Sequence, residues 1–288
     1  MTLNSPSKAG WLLTSPYIIF FCVFTAFPII FSFTLMFHRW NIVGPMHFIG
    51  LANFKLLVND PLFWKSILNT LWFLAIHIPL QVGIALLLAA ILNEKIRGLM
   101  FFRASFFLPV VISGVVITIL WKELYSTETG YINLLLSTIG LAKIPWLTST
   151  KFAMPSIAIM ATWKNVGLYT ILILAALQSV PRQLYEAATL DGANKVQQFL
   201  HITVPVINPV VVMVVILSTI NGFNLFIEPY IMTGGSPLNS TLSVVLYIYK
   251  QAFSFYKMGY AATMGFTLAL IIFSVALIQR RFLEKDPT

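Results

Sequence analysis

Long apolar runs alternate with shorter polar stretches along all 288 residues. Six of the runs are long enough to cross a bilayer core of about 30 Å, which takes about 20 helical residues. They extend from Trp11 to Phe37, Ile67 to Leu92, Phe101 to Trp121, Phe152 to Ala176, Val204 to Phe226 and Met258 to Phe282. Backbone groups find no water in hydrocarbon, so each run is predicted to be a helix. The expected fold class is an all-α membrane protein, a single transmembrane domain of six helices over residues 1–288. The first run exceeds a straight crossing, which implies tilt, bending or an interfacial end. It is too long for a cleaved signal, and no A-x-A pattern follows it, so it reads as a retained helix. Pro28, Pro79 and Pro109 lie inside runs and predict kinks that a bundle can tolerate.

One polar segment, Glu186 to Pro205, stands apart between the fourth and fifth runs. It carries charges of both signs, and a mere connector could be far shorter. Pro181 suits the first turn of a helix. Good helix formers run from Leu184 to Leu190, with Glu186 early, where a carboxylate suits the positive end of the dipole. Asp191-Gly192 offers a stop, with Gly192 in the left-handed position after the cap. A second helical stretch is predicted from Ala193 to Ile202, and Pro205 and Pro209 mark the start of the fifth run. Ala187 and Ala188 give the first helix a small face that a groove on a partner can approach closely. An amphipathic helix lying on lipid is the alternative. It does not require the alanine pair, the Asp-Gly stop and the glutamate together.

Composition agrees with the runs. Hydrophobic residues make up 58% of the chain and charged residues 9%, where a soluble domain carries about 25% charged residues. Mean hydropathy is +0.87. The net charge of +9 is scattered over every loop, which suits anchoring to anionic lipid rather than binding of nucleic acid. With both termini inside, nine basic residues fall on each side of the membrane. The inner ones (Lys8, Lys95, Arg97, Arg103, Arg182, Lys195, Arg280, Arg281, Lys285) lie in shorter segments. Their density, and the Arg280-Arg281 pair after the last run, favour cytoplasmic termini. The single cysteine, Cys22, allows no internal disulfide and no cysteine-based metal site. The loops after the first, third and fifth runs, each about 30 residues, would then be outside.

Glu186-Ala187-Ala188, Asp191-Gly192-Ala193, Ile202 and Pro205 resemble the EAA motif of membrane subunits of binding-protein-dependent ABC importers. Phe107-Leu108-Pro109, Trp121, Trp163, Gly167, Ala176-Leu177-Gln178 and Pro181 are similar to the carbohydrate-uptake branch. So are Phe223-Asn224-Leu225-Phe226, Tyr230, Met232 through Pro237, Tyr247-Ile248-Tyr249 and Ala252-Phe253. Ser236 stands where that branch usually has a glycine. The resemblance covers nearly the whole chain. It implies that residues 181–205 form a cytoplasmic coupling loop. There Glu186, Ala187, Ala188, Asp191, Gly192 and Ala193 would meet an ATPase. It further implies a second homologous permease subunit, two ATPase subunits, an extracytoplasmic solute-binding protein and a place in the bacterial cytoplasmic membrane. The chain has no G-x-x-x-x-G-K-[ST] motif, so ATP and its magnesium ion would bind the partner ATPase. No cofactor, metal or catalytic residue is expected in this chain.

A sugar-like solute needs hydrogen-bonding groups beside an aromatic face. Ser218, Asn221, Gly222 and Leu225 share a face of the fifth run by i, i+3, i+4, i+7 spacing, with Asn224 at its side. Trp163, Lys164 and Asn165 form a polar-aromatic cluster in the fourth run, where a lysine should face a water-filled path or snorkel to an interface. Gly114 in the third run can leave space beside them. The resemblance points to these three helices as the lining of the substrate path. Asn and Ser can instead simply link helices, and His77 and Gln81, four apart, are read as packing residues.

Other classes fit less well. A secondary transporter would show paired broken helices and buried acids, yet Glu228 lies just past the fifth run. A membrane enzyme would need a catalytic cluster, and His38, His47, His77 and His201 have no ligand spacing. A membrane scaffold leaves the polar cluster unexplained. Within the sugar branch, a di- or oligosaccharide, a glycosyl-glycerol and glycerol 3-phosphate all remain candidate solutes.

Overall fold

The structure is a computed structural model that describes residues 6–94 and 98–283. Lys95, Arg97 and Lys285, weighed above for orientation, lie outside the described residues. The chain divides into two compact units, one running up to Pro61 and resuming over Ile248–Ala269, the other comprising Leu62–Tyr247 and the chain from Leu270 onward.

In the first unit, α1 (Pro6–Phe21) passes through a π-helical turn, Cys22–Ala26, into α2 (Phe27–Leu35). Pro28 sits in the first turn of α2. It cannot donate to the carbonyl one turn back, and the backbone widens into the π turn just before it. Only 6% of the apolar stretch Gly10–Leu35 is buried, so this span faces lipid or another subunit. Strands β1 (His38–Arg39) and β2 (His47–Phe48) pair antiparallel, His38 opposite Phe48. Asn53, on α3 (Ala52–Val58), closes this hairpin by donating to the carbonyls of Met36 and His38 at 2.9 and 3.1 Å.

The second unit is built on α4 (Pro61–Asn93), α5 (Leu99–Val111), α6 (Gly114–Leu124), α7 (Tyr131–Thr138) and α8 (Ala153–Ser179). It continues with α9 (Arg182–Leu190), α10 (Lys195–Gln198), α11 (Val204–Phe223), α12 (Ile227–Met232) and α13 (Val244–Tyr249). A last helix, α14 (Met258–Leu283), starts in the first unit and ends in the second. The central helix is α8, whose span is 61% buried against 22–28% for α4, α11 and α14. Ala85 and Ala89 of α4 pack with Tyr169, Ile173 and Leu177 of α8 and with Val214 of α11. Small residues at such contacts let helices approach where no hydrophobic drive operates. At Gly167 the approach is so close that a Cβ would overlap the Phe106 carbonyl of α5.

The third and fifth spans break inside runs that the sequence predicts to be continuous helix. The third, expected from Phe101 to Trp121, is two helices bent by 97°. Pro109 removes a backbone donor near the end of α5, Ile112 is extended (φ −71°, ψ 144°), and α6 restarts at Gly114. The fifth ends at Phe223, not Phe226, and α12 begins four residues later. Among the described residues, five helical stretches are long and apolar enough to cross a membrane, or six if the bent pair counts as one.

Candidate functional site

The polar segment folds as a short helix, a tight turn and a second helix that runs straight into α11. Pro181 is the N-cap residue of α9 with extended ψ (129°), just outside the helix it was expected to open. Glu186 therefore falls in the second turn, and no acid occupies the first. The helix ends in a Schellman motif. Gly192 has φ +79°, its N–H donates to the Thr189 carbonyl at 3.1 Å, and the Ala193 N–H donates to the Ala188 carbonyl at 2.9 Å. A Cβ is strained at such a φ, so the turn favours glycine. The helix expected from Ala193 to Ile202 opens at Asn194, which forms a capping box with Gln197 through reciprocal 2.9 Å bonds. It becomes a π turn at Phe199–Thr203 and continues as α11.

One hydrogen bond ties this loop to the foot of α11, and two more hold its own helices and turn together. The Tyr185 hydroxyl meets Thr203 Oγ1 at 2.7 Å. Gln198 Nε2 donates to Thr189 Oγ1 at 3.0 Å and to the Ala193 carbonyl at 3.1 Å. The outer face stays bare. Glu186, Ala187, Gly192 and Asp191 are exposed, Ala188 and Ala193 half-buried, and Leu190 is 89% exposed.

The second candidate site is a polar cavity of about 230 Å³ between α4, α8 and the end of α11. It gathers Lys164, Asn165, Asn221, Gly222, Asn224 and Leu225 with Phe73, His77, Tyr169, Phe226 and Glu228. Lys164 Nζ lies 3.1 Å from Glu228 Oε1, and both side chains are largely buried. Gly114, the first residue of α6, makes room for that ammonium, since a Cβ on it would stand 2.8 Å from Nζ. Asn221 Nδ2 donates to the Tyr169 hydroxyl at 3.0 Å, Asn165 Nδ2 to the Ala161 carbonyl at 3.0 Å, and Asn224 Nδ2 to the Ile220 carbonyl at 2.9 Å. The carboxamide oxygens of these three asparagines retain accepting capacity.

The structure splits the set read from the sequence. Trp163 does not line this cavity. Successive helical residues point about 100° apart, so Trp163 turns to a separate apolar cavity with Leu80 and Phe106 and packs on Trp121 at 5.3 Å. Ser218 is fully buried among the helices, and its Oγ has no hydrogen-bond partner among the described residues. Leu225 lies beyond the end of α11, so the turn at Asn224, not helical spacing, brings it to the wall.

A profile for binding-protein-dependent transport system inner membrane components matches residues 63–285. The chain belongs to this family. It is an ABC transporter permease, a multi-pass membrane subunit rather than an enzyme. The permease is 37% identical to the arabinooligosaccharides transport system permease protein AraP of Bacillus subtilis (strain 168), over 95% of this chain and 88% of that one. It is 39% identical to the lactose transport system permease protein LacF of Rhizobium radiobacter, over 94% and 92%. It also superposes on a chain of a bacterial alginate ABC transporter, crystallised with an alginate pentasaccharide-bound periplasmic protein. The TM-score is 0.82, with 27% identity over 95% of this chain and 94% of that one.

Sequence reasoning missed several wall residues of the permease. Tyr169 follows Ala161 and Asn165 at successive i+4 steps, and Phe73 and His77 are spaced likewise, so the helical period could have found them. His77, read as a packing residue, bonds Thr162 Oγ1 at 2.8 Å and also reaches the cavity edge. Glu228 was placed outside the spans because no helical period carries it past Asn224. Among the described residues, no group of three or more His, Cys, Asp or Glu could hold a metal ion.

Proposed function

We propose that this permease lines one half of the path of an ATP-driven importer for a sugar-like solute, and that α9 docks it on a separate ATPase chain. The observation that carries this reading is the polar cavity between α8 and the end of α11. Asn165, Asn221, Asn224 and the Tyr169 hydroxyl offer donors and acceptors for hydroxyl groups, and Phe73 and Phe226 offer apolar faces. A few placed polar groups against aromatic walls is the usual composition of a small-molecule site. The relatives named for lactose and arabinooligosaccharide transport support a di- or oligosaccharide as solute.

The break between α5 and α6 supports the path. Ile112 and Ser113 are non-helical and exposed in the single chain. Irregular backbone at membrane depth persists only where protein buries it or water lines it. A second homologous permease against this face would supply both. The bare acidic and apolar face of α9 (Glu186, Ala187, Leu190, Asp191) suits a groove on an ATPase subunit, two of which would carry ATP and magnesium. An extracytoplasmic binding protein would deliver the solute. Both termini would be cytoplasmic, in a bacterial inner membrane.

Cysteine cross-linking tests the docking. Cys22 is the single native cysteine, so a Cys22→Ala background is clean. Leu190→Cys in that background should cross-link to an ATPase carrying cysteines along its membrane-facing groove. A cross-link to lipid-anchored probes alone would show a helix lying on the bilayer instead.

A further inference from the structure

We propose that the Lys164–Glu228 pair sets the charge preference of the cavity, so that it admits neutral hydroxyl-rich solutes and rejects uronates and phosphorylated sugars. The proposal rests on the sugar-path reading above and adds the charge class of the solute.

Lys164 projects from the middle of α8, and Glu228 from the first turn of α12. Their charged atoms are 3.1 Å apart, and the two side chains are 16% and 10% exposed. Among the described residues, no other Lys, Arg, Asp or Glu lines the cavity. The remaining imidazole, His77, is turned to Thr162 Oγ1.

A lysine alone in such a place would draw an anion, because Coulomb attraction strengthens as the surroundings dry. With Glu228 beside it, an approaching carboxylate or phosphate meets attraction and repulsion of similar size, and its own lost hydration is not replaced. A neutral hydroxyl has no such penalty. It can donate to Glu228 or to an asparagine oxygen, and accept from Lys164 or an asparagine amide. Gly114 leaves space beside the ammonium, which a Cβ there would push aside.

The complex of this permease with its partner permease and ATPases, in nanodiscs that expose both faces and without binding protein, allows equilibrium dialysis of four probes. Lactose and maltotriose are neutral; trigalacturonate and glycerol 3-phosphate are anionic. The native complex should bind its preferred neutral probe at least about tenfold more tightly than either anion, because the anion's lost hydration is not replaced. Glu228→Gln should collapse that ratio by a similar factor, and the exchanged pair Lys164→Glu with Glu228→Lys should restore it. If Glu228→Gln does not assemble, Lys164→Gln serves, and it should weaken the anions further. Equal binding of neutral and anionic probes by the native complex, or a ratio that neither single substitution moves, overturns the proposal while leaving a sugar path intact. A native complex that assembles and binds none of the four overturns the sugar-path reading, and this proposal with it.

Discussion

The Tyr185 hydroxyl and Thr203 Oγ1 stand 2.7 Å apart, which ties the exposed helix α9 to the base of α11. From Thr203 a continuous helix rises to Asn221 at the cavity, about 27 Å at 1.5 Å per residue. A push on α9 therefore has a short, hydrogen-bonded route into a rigid element that ends at the candidate solute site. Tyr185→Phe keeps the ring and removes the bond, at a cost of about 1 kcal/mol. It should leave the transporter assembled but lower the solute moved per ATP hydrolysed. Uptake and hydrolysis measured on the same proteoliposomes check this, and an unchanged ratio would mean that the bond carries no motion.

The capping box at Asn194 holds the turn between the two short helices. Asn194→Ala removes one side of it, which typically costs about 1 kcal/mol. Hydrogen exchange at the Gln197 and Gln198 amides should speed up severalfold, while exchange at the core of α8 stays unchanged. Equal speeding throughout would indicate general loosening rather than loss of a cap.

Gly167 lets α8 touch the backbone of α5. Gly167→Leu must push the two helices apart or bend one, and such overpacking costs about 1–3 kcal/mol. The detergent-solubilised transporter should melt at a lower temperature, and Gly167→Ala should fall between the two. A native melting temperature for Gly167→Leu would contradict the close approach.

Lys164 and Glu228 should be coupled in stability as well as in selectivity. Removing one partner leaves a poorly hydrated charge, which in fully buried pairs costs about 3–5 kcal/mol, and less here because the cavity admits some water. Lys164→Met and Glu228→Leu should each lower the melting temperature, and the double variant should lower it by less than their sum. Additive losses would mean the two charges do not sense each other.

Much of the fold was legible because hydropathy is written in long runs. The span expected from Phe152 to Ala176 is a helix over Ala153–Ser179, and that expected from Met258 to Phe282 is one over Met258–Leu283. The 97° break at Ile112–Ser113 was not legible. Apolar residues continue through it, and Pro109 signals a kink without giving its angle or place. At the site, Lys164 and Asn165 were found because polar groups are costly in a span. Trp163, grouped with them in sequence, lines a different cavity because adjacency in sequence is not adjacency on a helix. Glu228 was missed because the turn that returns it to Lys164 depends on where α11 stops, at Phe223, two residues short of Leu225. The Asp191-Gly192 stop was readable for the opposite reason, since the left-handed turn needs one residue type.

The central claim is that α9 passes the ATPase cycle to a sugar path in this chain. The most direct measurement is sugar-stimulated ATP hydrolysis by the permease reconstituted with its partner permease, ATPases and binding protein, for the native chain and for Gly192→Asp. Asp at φ +79° would disturb the stop and add a charge to the docking face. The account predicts stimulation by a neutral sugar in the native complex, and its loss in the variant while all subunits still co-purify. Stimulation that survives the substitution undiminished, or a native chain that retains no ATPase, would contradict it.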